Sequence, residues 1–84
     1  MNYRVIWELP ARVALQQIYD ASLDREGLLQ TILRIDLELS ANPIEAGESR
    51  DFNRRILFKF PLVVWFHVNE RMKEVAIFQA RASR

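Results

Sequence analysis

The sequence predicts an α+β fold: an N-terminal strand, a two-helix hairpin, then a mostly antiparallel sheet of three to four strands. Three observations carry that prediction. Apolar residues recur at helical spacing from Ala11 to Leu39, and after Gly47 they fall into short strand-like runs. Of 84 residues, 50% are hydrophobic and 27% charged, which suits one compact domain over residues 1–84. Helices that precede the strands, instead of alternating with them, cover one face of an antiparallel sheet.

Each element has its own signal. YRVIW (residues 3–7) alternates, with Tyr3, Val5 and Trp7 on one side, as a short strand does. Pro10 suits the first turn of a helix, where its missing N–H is not needed. Ala11, Ala14, Leu15, Ile18 and Ala21 then line one face, with Gln16, Gln17 and Asp20 opposite. Asp24 is placed to cap a second helix, and Glu26 meets the positive end of its dipole. Leu28, Ile32, Ile35 and Leu39 follow at helical intervals, with Arg34 and Glu38 set to pair across one turn. LRIDLELS (33–40) also alternates as a half-buried strand would. The longer run from Leu28 and the helix-favouring Leu, Gln and Glu select the helix. Asn42 ends it, because the residue before Pro43 is pushed out of the helical region. RRILFKF, LVVWFHV and KEVAIFQAR, separated by Pro61 and the polar NERM, then read as three successive antiparallel strands.

Charge is divided unevenly along the chain. Residues 1–49 hold 4 Lys/Arg and 8 Asp/Glu, whereas residues 50–84 hold 8 and 3, so a total of +1 conceals an acidic half and a basic half. Such asymmetry points to nucleic acid or an acidic protein as partner, although solvated charge also accounts for it. Several function classes are disfavoured. The absence of cysteine removes disulfides and thiolate chemistry and fits a reducing cytoplasm. The one histidine makes no recognisable metal-ligand spacing, so neither a metal nor a cofactor is expected. Gly27 and Gly47 stand alone, without a phosphate-cradling loop, and Ser22, Ser40, Ser49 and Ser83 lie in no nucleophile motif. MNYRVIWELP lacks a secretory pattern, and no apolar run nears the roughly 18 residues of a membrane helix, so a soluble cytoplasmic protein without membrane contact is expected.

Strand parity nominates a surface. In LVVWFHV, Leu62, Val64, Phe66 and Val68 oppose Val63, Trp65 and His67; in the preceding strand, Ile56, Phe58 and Phe60 oppose Arg55, Leu57 and Lys59. With the first set of each strand beneath the helices, Arg55, Lys59, Trp65 and His67 share the uncovered face. Cations hold phosphates, an indole stacks on bases, and an imidazole moves protons near neutral pH, so this set suits RNA. Each residue singly also fits a structural role, and a one-residue slip in register turns the set over.

The order of the N-terminal strand, two helices ending in ANP, a GESR segment, then RRILF, VVWFHV and VAIFQAR resembles the RelE/ParE superfamily of type II toxins over nearly the whole chain. The resemblance implies a small toxin neutralised by a cognate antitoxin in a hetero-oligomer. RelE-like members cut mRNA on the ribosome without metal, using the RNA 2′-hydroxyl as nucleophile, whereas ParE-like members poison DNA gyrase. Arg55 stands where RelE-like toxins often place a basic residue on the first strand of the C-terminal hairpin. Arg50 matches the basic position after the GE segment, and Arg81 the basic residue ending the last strand. Val63 replaces an arginine common near the start of the middle strand, and the C-terminal tyrosine or histidine of many ribonucleolytic members is missing. The reading that results is a RelE-like ribonuclease with Arg55, His67 and Arg81 catalytic and Arg50, Arg54, Lys59, Trp65 and Arg84 binding RNA. The alternatives are a gyrase inhibitor and an inactive toxin fold that retains only antitoxin binding.

Overall fold

A computed structural model describes residues 2–83 and has the α+β architecture expected. Strand β1 (Arg4–Trp7) leads into helices α1 (Leu9–Ala21) and α2 (Arg25–Ala41), a short helix α3 (Pro43–Ala46), and strand β2 (Glu48–Ser49). A 3₁₀ turn (Asp51–Asn53) precedes β3 (Arg55–Lys59), β4 (Leu62–Asn69) and β5 (Glu74–Ala82). The local signals act as their chemistry requires. Pro10 lies in the first turn of α1, and the Asp24 carboxylate accepts the Gly27 N–H at 3.0 Å. Residues 33–40 are helical, since α2 continues to Ala41.

The five strands run in the order β1-β5-β4-β3-β2. β2 through β5 pair antiparallel, and β1 joins β5 in parallel. One face is covered by α1 and α2: Ala11, Leu28, Ile35 and Leu39 pack on Leu57, Leu62, Val64, Phe66, Val75 and Ile77, all buried. Burial of one such Leu, Val, Ile or Phe side chain contributes about 1.5–3 kcal/mol. Trp7 donates its indole N–H to Asp36 Oδ1 at 2.7 Å, and the Tyr3 N–H reaches the Ser40 carbonyl at 2.7 Å, so β1 is tied to α2 as well as to β5. Thr31, the buried polar residue of α2, donates to the Gly27 carbonyl at 3.1 Å and is thereby satisfied.

Three expectations are corrected. Glu38 pairs with Lys59 at 2.8 Å and not with Arg34, because it lies on the side of α2 that meets β3. Ala21, the last residue of α1, is exposed because its methyl is not covered at the helix end. The largest correction concerns β3. Its connection to β4 is two residues, Phe60 and Pro61, which sets Lys59 opposite Leu62, Leu57 opposite Val64 and Arg55 opposite Phe66. Directly opposed residues share a face, so the odd-numbered side chains of β3 lie with the even-numbered ones of β4 under the helices. Arg55 and Lys59 therefore do not share the face of Trp65 and His67. Leu57 is in the core, and Phe58 is 55% exposed on the far side.

Candidate nucleic-acid interface

The uncovered face is built around alternate residues of β4: Val63, Trp65 and His67, spaced about 6.6 Å apart along the strand. A β-bulge decides what stands beside them. Gln79 opposes Trp65 and Arg81 opposes Val63, but Phe66 opposes Ile77, so Phe78 is the extra residue of β5. Without the bulge, the alternation Val75, Ile77, Gln79, Arg81 would drive an amide and a guanidinium beneath the helices. The bulge instead puts Ala80 in the core and delivers Gln79 and Arg81 to the open face.

Five contacts organise this face. The Arg81 guanidinium carbon lies 5.6 Å from the centre of the Trp65 ring, a cation–π arrangement. His67 stacks on Phe78 with ring centres 4.6 Å apart and planes 21° from parallel. His67 Nδ1 lies 3.3 Å from the Asn53 carbonyl, and since a carbonyl only accepts, Nδ1 is the donor in that contact. Arg54 stands over the Phe52 ring at 5.7 Å and donates Nε–H to the Asp51 carbonyl at 3.2 Å. Arg54, Trp65, Phe78, Gln79 and Arg81 together line a groove of about 340 Å³.

The segment beside the groove is strained. Phe52 and Asn53 have φ of 59° and 61°, in the left-handed region that a bulky residue such as Phe52 rarely enters. The Arg50 N–H to Arg54 carbonyl bond (2.6 Å), the Arg54 N–H to Asp51 carbonyl bond (3.1 Å) and the His67 contact hold the turn in that shape. Phe52 is left 85% exposed.

The proposed site residues thus divide. Arg54, Trp65, His67 and Arg81 come together on or beside the open face. Arg50, near them in sequence, pairs with Glu48 at 3.2 Å and donates to the Ser49 carbonyl at 3.0 Å. Arg55 reaches across the helix-covered side to the carbonyls of Ile44 (2.5 Å) and Gly47 (2.8 Å), closing the chain between α3 and β2. Lys59 is held by Glu38. Arg84 lies outside the described residues. Phe52, Asn53, Phe78 and Gln79 were not anticipated. For Gln79 a signal existed, because two polar residues at the buried phase of VAIFQAR call for a slip in alternation. Among the described residues, no group of three or more His, Asp or Glu side chains is placed to hold a metal ion, and no helix is long and apolar enough to cross a membrane.

Comparison with solved structures shows that this chain, with its N-terminal strand, two long helices and five-stranded, mostly antiparallel sheet, has the fold of the RelE/ParE toxins. It is similar to a chain of the RelBE2 toxin–antitoxin complex of Mycobacterium tuberculosis, with TM-score 0.80 and 16% identity over 98% of this chain and 99% of the other. It is similar to the chromosomal ParDE system of P. aeruginosa, with TM-score 0.72 and 24% identity over 98% and 97%. The RelE–RelB complex of Pyrococcus horikoshii superposes with TM-score 0.69 and 18% identity over 98% and 96%. No protein-family model matches the sequence, and no curated protein matches it.

Proposed function

We propose that this protein is the toxin of a type II toxin–antitoxin pair and that it stops translation as a RelE-like, ribosome-dependent mRNA endoribonuclease. The observation that carries the reading is the open face itself, where Arg54, Arg81 and an indole line one groove and the only histidine stacks on Phe78 of its wall. Cleavage by the RNA 2′-hydroxyl needs a base for that proton, a proton donor for the leaving 5′-oxygen and cations for the charge that develops on the phosphate. His67, its ring oriented by the Nδ1 contact with Asn53, takes the 2′-hydroxyl proton on Nε2 as that oxygen bonds to phosphorus, and the P–O5′ bond breaks with the leaving 5′-oxygen taking a proton from solvent. Arg81 and Arg54 steady the phosphate, and Trp65 stacks against a base. Arg55 and Lys59 are left out of this site, since their charged groups are engaged on the other side of the sheet.

A cognate antitoxin is the partner in this reading. Leu29, Leu33 and Leu37 recur every four residues along α2 and are 47%, 61% and 69% exposed, a stripe that suits an apolar antitoxin segment. The stripe lies on helix α2 and the groove on the opposite face of the sheet, so antitoxin and RNA would use separate surfaces.

Induction of the protein alone in a bacterial host, with mRNA 5′ ends mapped within minutes, tests the activity. New ends in phase with codons, lost in the His67→Ala/Arg81→Ala double variant, are expected. Growth arrest with intact messages and DNA breaks would replace this reading by ParE-like gyrase inhibition, since one fold can carry different activities.

A further inference from the structure

The outer face of α2 carries a pattern that complements itself. Leu29, Leu33 and Leu37 stand exposed along it, and Leu23, in the turn before the helix, is fully exposed. Beside the leucines the helix presents three polar residues at four-residue spacing, Glu26, Gln30 and Arg34, all exposed. Glu26 and Arg34 lie about 12 Å apart along the helix axis, and among the described residues neither belongs to an ion pair. Next to Leu29, α1 and α2 leave a hollow of about 260 Å³ whose apolar lining is Leu15, Tyr19, Leu29 and Ile32.

We propose that this face pairs two copies of the chain, each α2 antiparallel to the other about a two-fold axis at Gln30. A two-fold interface is isologous, so a single patch has to match itself: opposite charges must stand equally far on either side of the axis, with apolar residues between them. The face of α2 meets that demand. Glu26 precedes Gln30 by four residues and Arg34 follows it by four, so each carboxylate meets the guanidinium of the second copy and the pair forms twice. Leu23 and Leu37 stand seven residues before and after Gln30 and meet in the same way. Leu29 lies against Leu33 of the second copy, which enters the hollow between α1 and α2. An unrelated partner has no need of this symmetry. The face is that of one helix of 17 residues, about 26 Å long and about 10–12 Å wide, bordered by α1. It covers less than the roughly 800 Å² that each partner gives to a standard interface, so the dimer dissociates at micromolar concentration. Because these leucines also suit the antitoxin segment, antitoxin and second copy exclude one another, while the open face of β4 and β5 stays free in the dimer.

Sedimentation equilibrium of the isolated chain tests the pairing. A monomer–dimer equilibrium with its midpoint at roughly 10–100 µM is expected. Glu26→Arg and Arg34→Glu each set like charges against one another and are expected to weaken association about tenfold or more. The double variant Glu26→Arg/Arg34→Glu restores opposite charges across the axis and should return association to within about threefold of the parent, a recovery that only two copies of one chain can produce. Leu33→Asp, which carries a charge into the hollow, is expected to leave a monomer. All three positions are exposed, and circular dichroism checks that each variant is folded. A parent chain that stays monomeric at about 300 µM, a dimer that survives Leu33→Asp, or a double variant no better than the single ones would each overturn the proposal, the first leaving the leucines to the antitoxin alone. None of these measurements reads RNA cleavage, so the pairing and the ribonuclease reading fail separately.

Discussion

Replacement of Arg55 separates a structural arginine from a catalytic one. Its guanidinium donates to the Ile44 and Gly47 carbonyls, the latter on a buried residue, and so fastens α3 and β2 to the edge of β3. A hydrogen bond involving a charged group contributes about 1.5–3 kcal/mol. Arg55 is only half-buried and its Nε is enclosed without a partner, which places the pair of bonds at the low end, so Arg55→Ala is expected to cost about 2 kcal/mol. For a chain of 84 residues that lowers Tm by roughly 8–16 °C. Lysine at this position can satisfy one carbonyl but not two in a fork, so Arg55→Lys should fall between. Thermal unfolding followed by circular dichroism, beside mRNA cleavage at a temperature where each variant stays folded, is the assay. An unchanged Tm together with abolished cleavage would refute the assignment of Arg55 to the scaffold and return it to the active site.

Three further outcomes are expected. A Cβ at Gly47 would stand 2.4 Å from Phe66 Cζ, so Gly47→Ala should destabilise by about 1–3 kcal/mol in urea unfolding, and Phe66→Leu on the same chain should recover part of the loss. Phe66→Ala alone, at a fully buried position, should cost about 3–5 kcal/mol in the same measurement. The Glu70 carboxyl titrates below its ordinary value of 4.5, through the Tyr3 hydroxyl bond and then Lys73. A carboxylate with a depressed folded-state pKa contributes stability above its unfolded value that is lost as pH falls through the folded one. Acidification below about pH 4.5 should therefore lower Tm less steeply in Glu70→Gln than in the parent, and equal slopes would deny the contact a role.

The sequence by itself determined the elements that local chemistry controls. Pro10, the Asp24 cap and the apolar spacing of Leu28, Ile35 and Leu39 are read within a turn or two of helix, where the interacting groups are neighbours along the chain. Alternation likewise marked β1, β4 and β5, and the order of elements defined the α+β class. Trp65 and His67 were placed together correctly because they lie two residues apart on one strand. Tertiary structure alone decided which cations join them. The face of β3 depended on a two-residue connection, and the delivery of Gln79 and Arg81 on one extra residue in β5. Both are matters of register, set by hydrogen bonds to a neighbouring strand. Because side chains alternate with a period of two, a single-residue shift carries a residue from one face of the sheet to the other. That is why Arg55 and Lys59 went to the scaffold while Arg81 and Gln79 reached the groove.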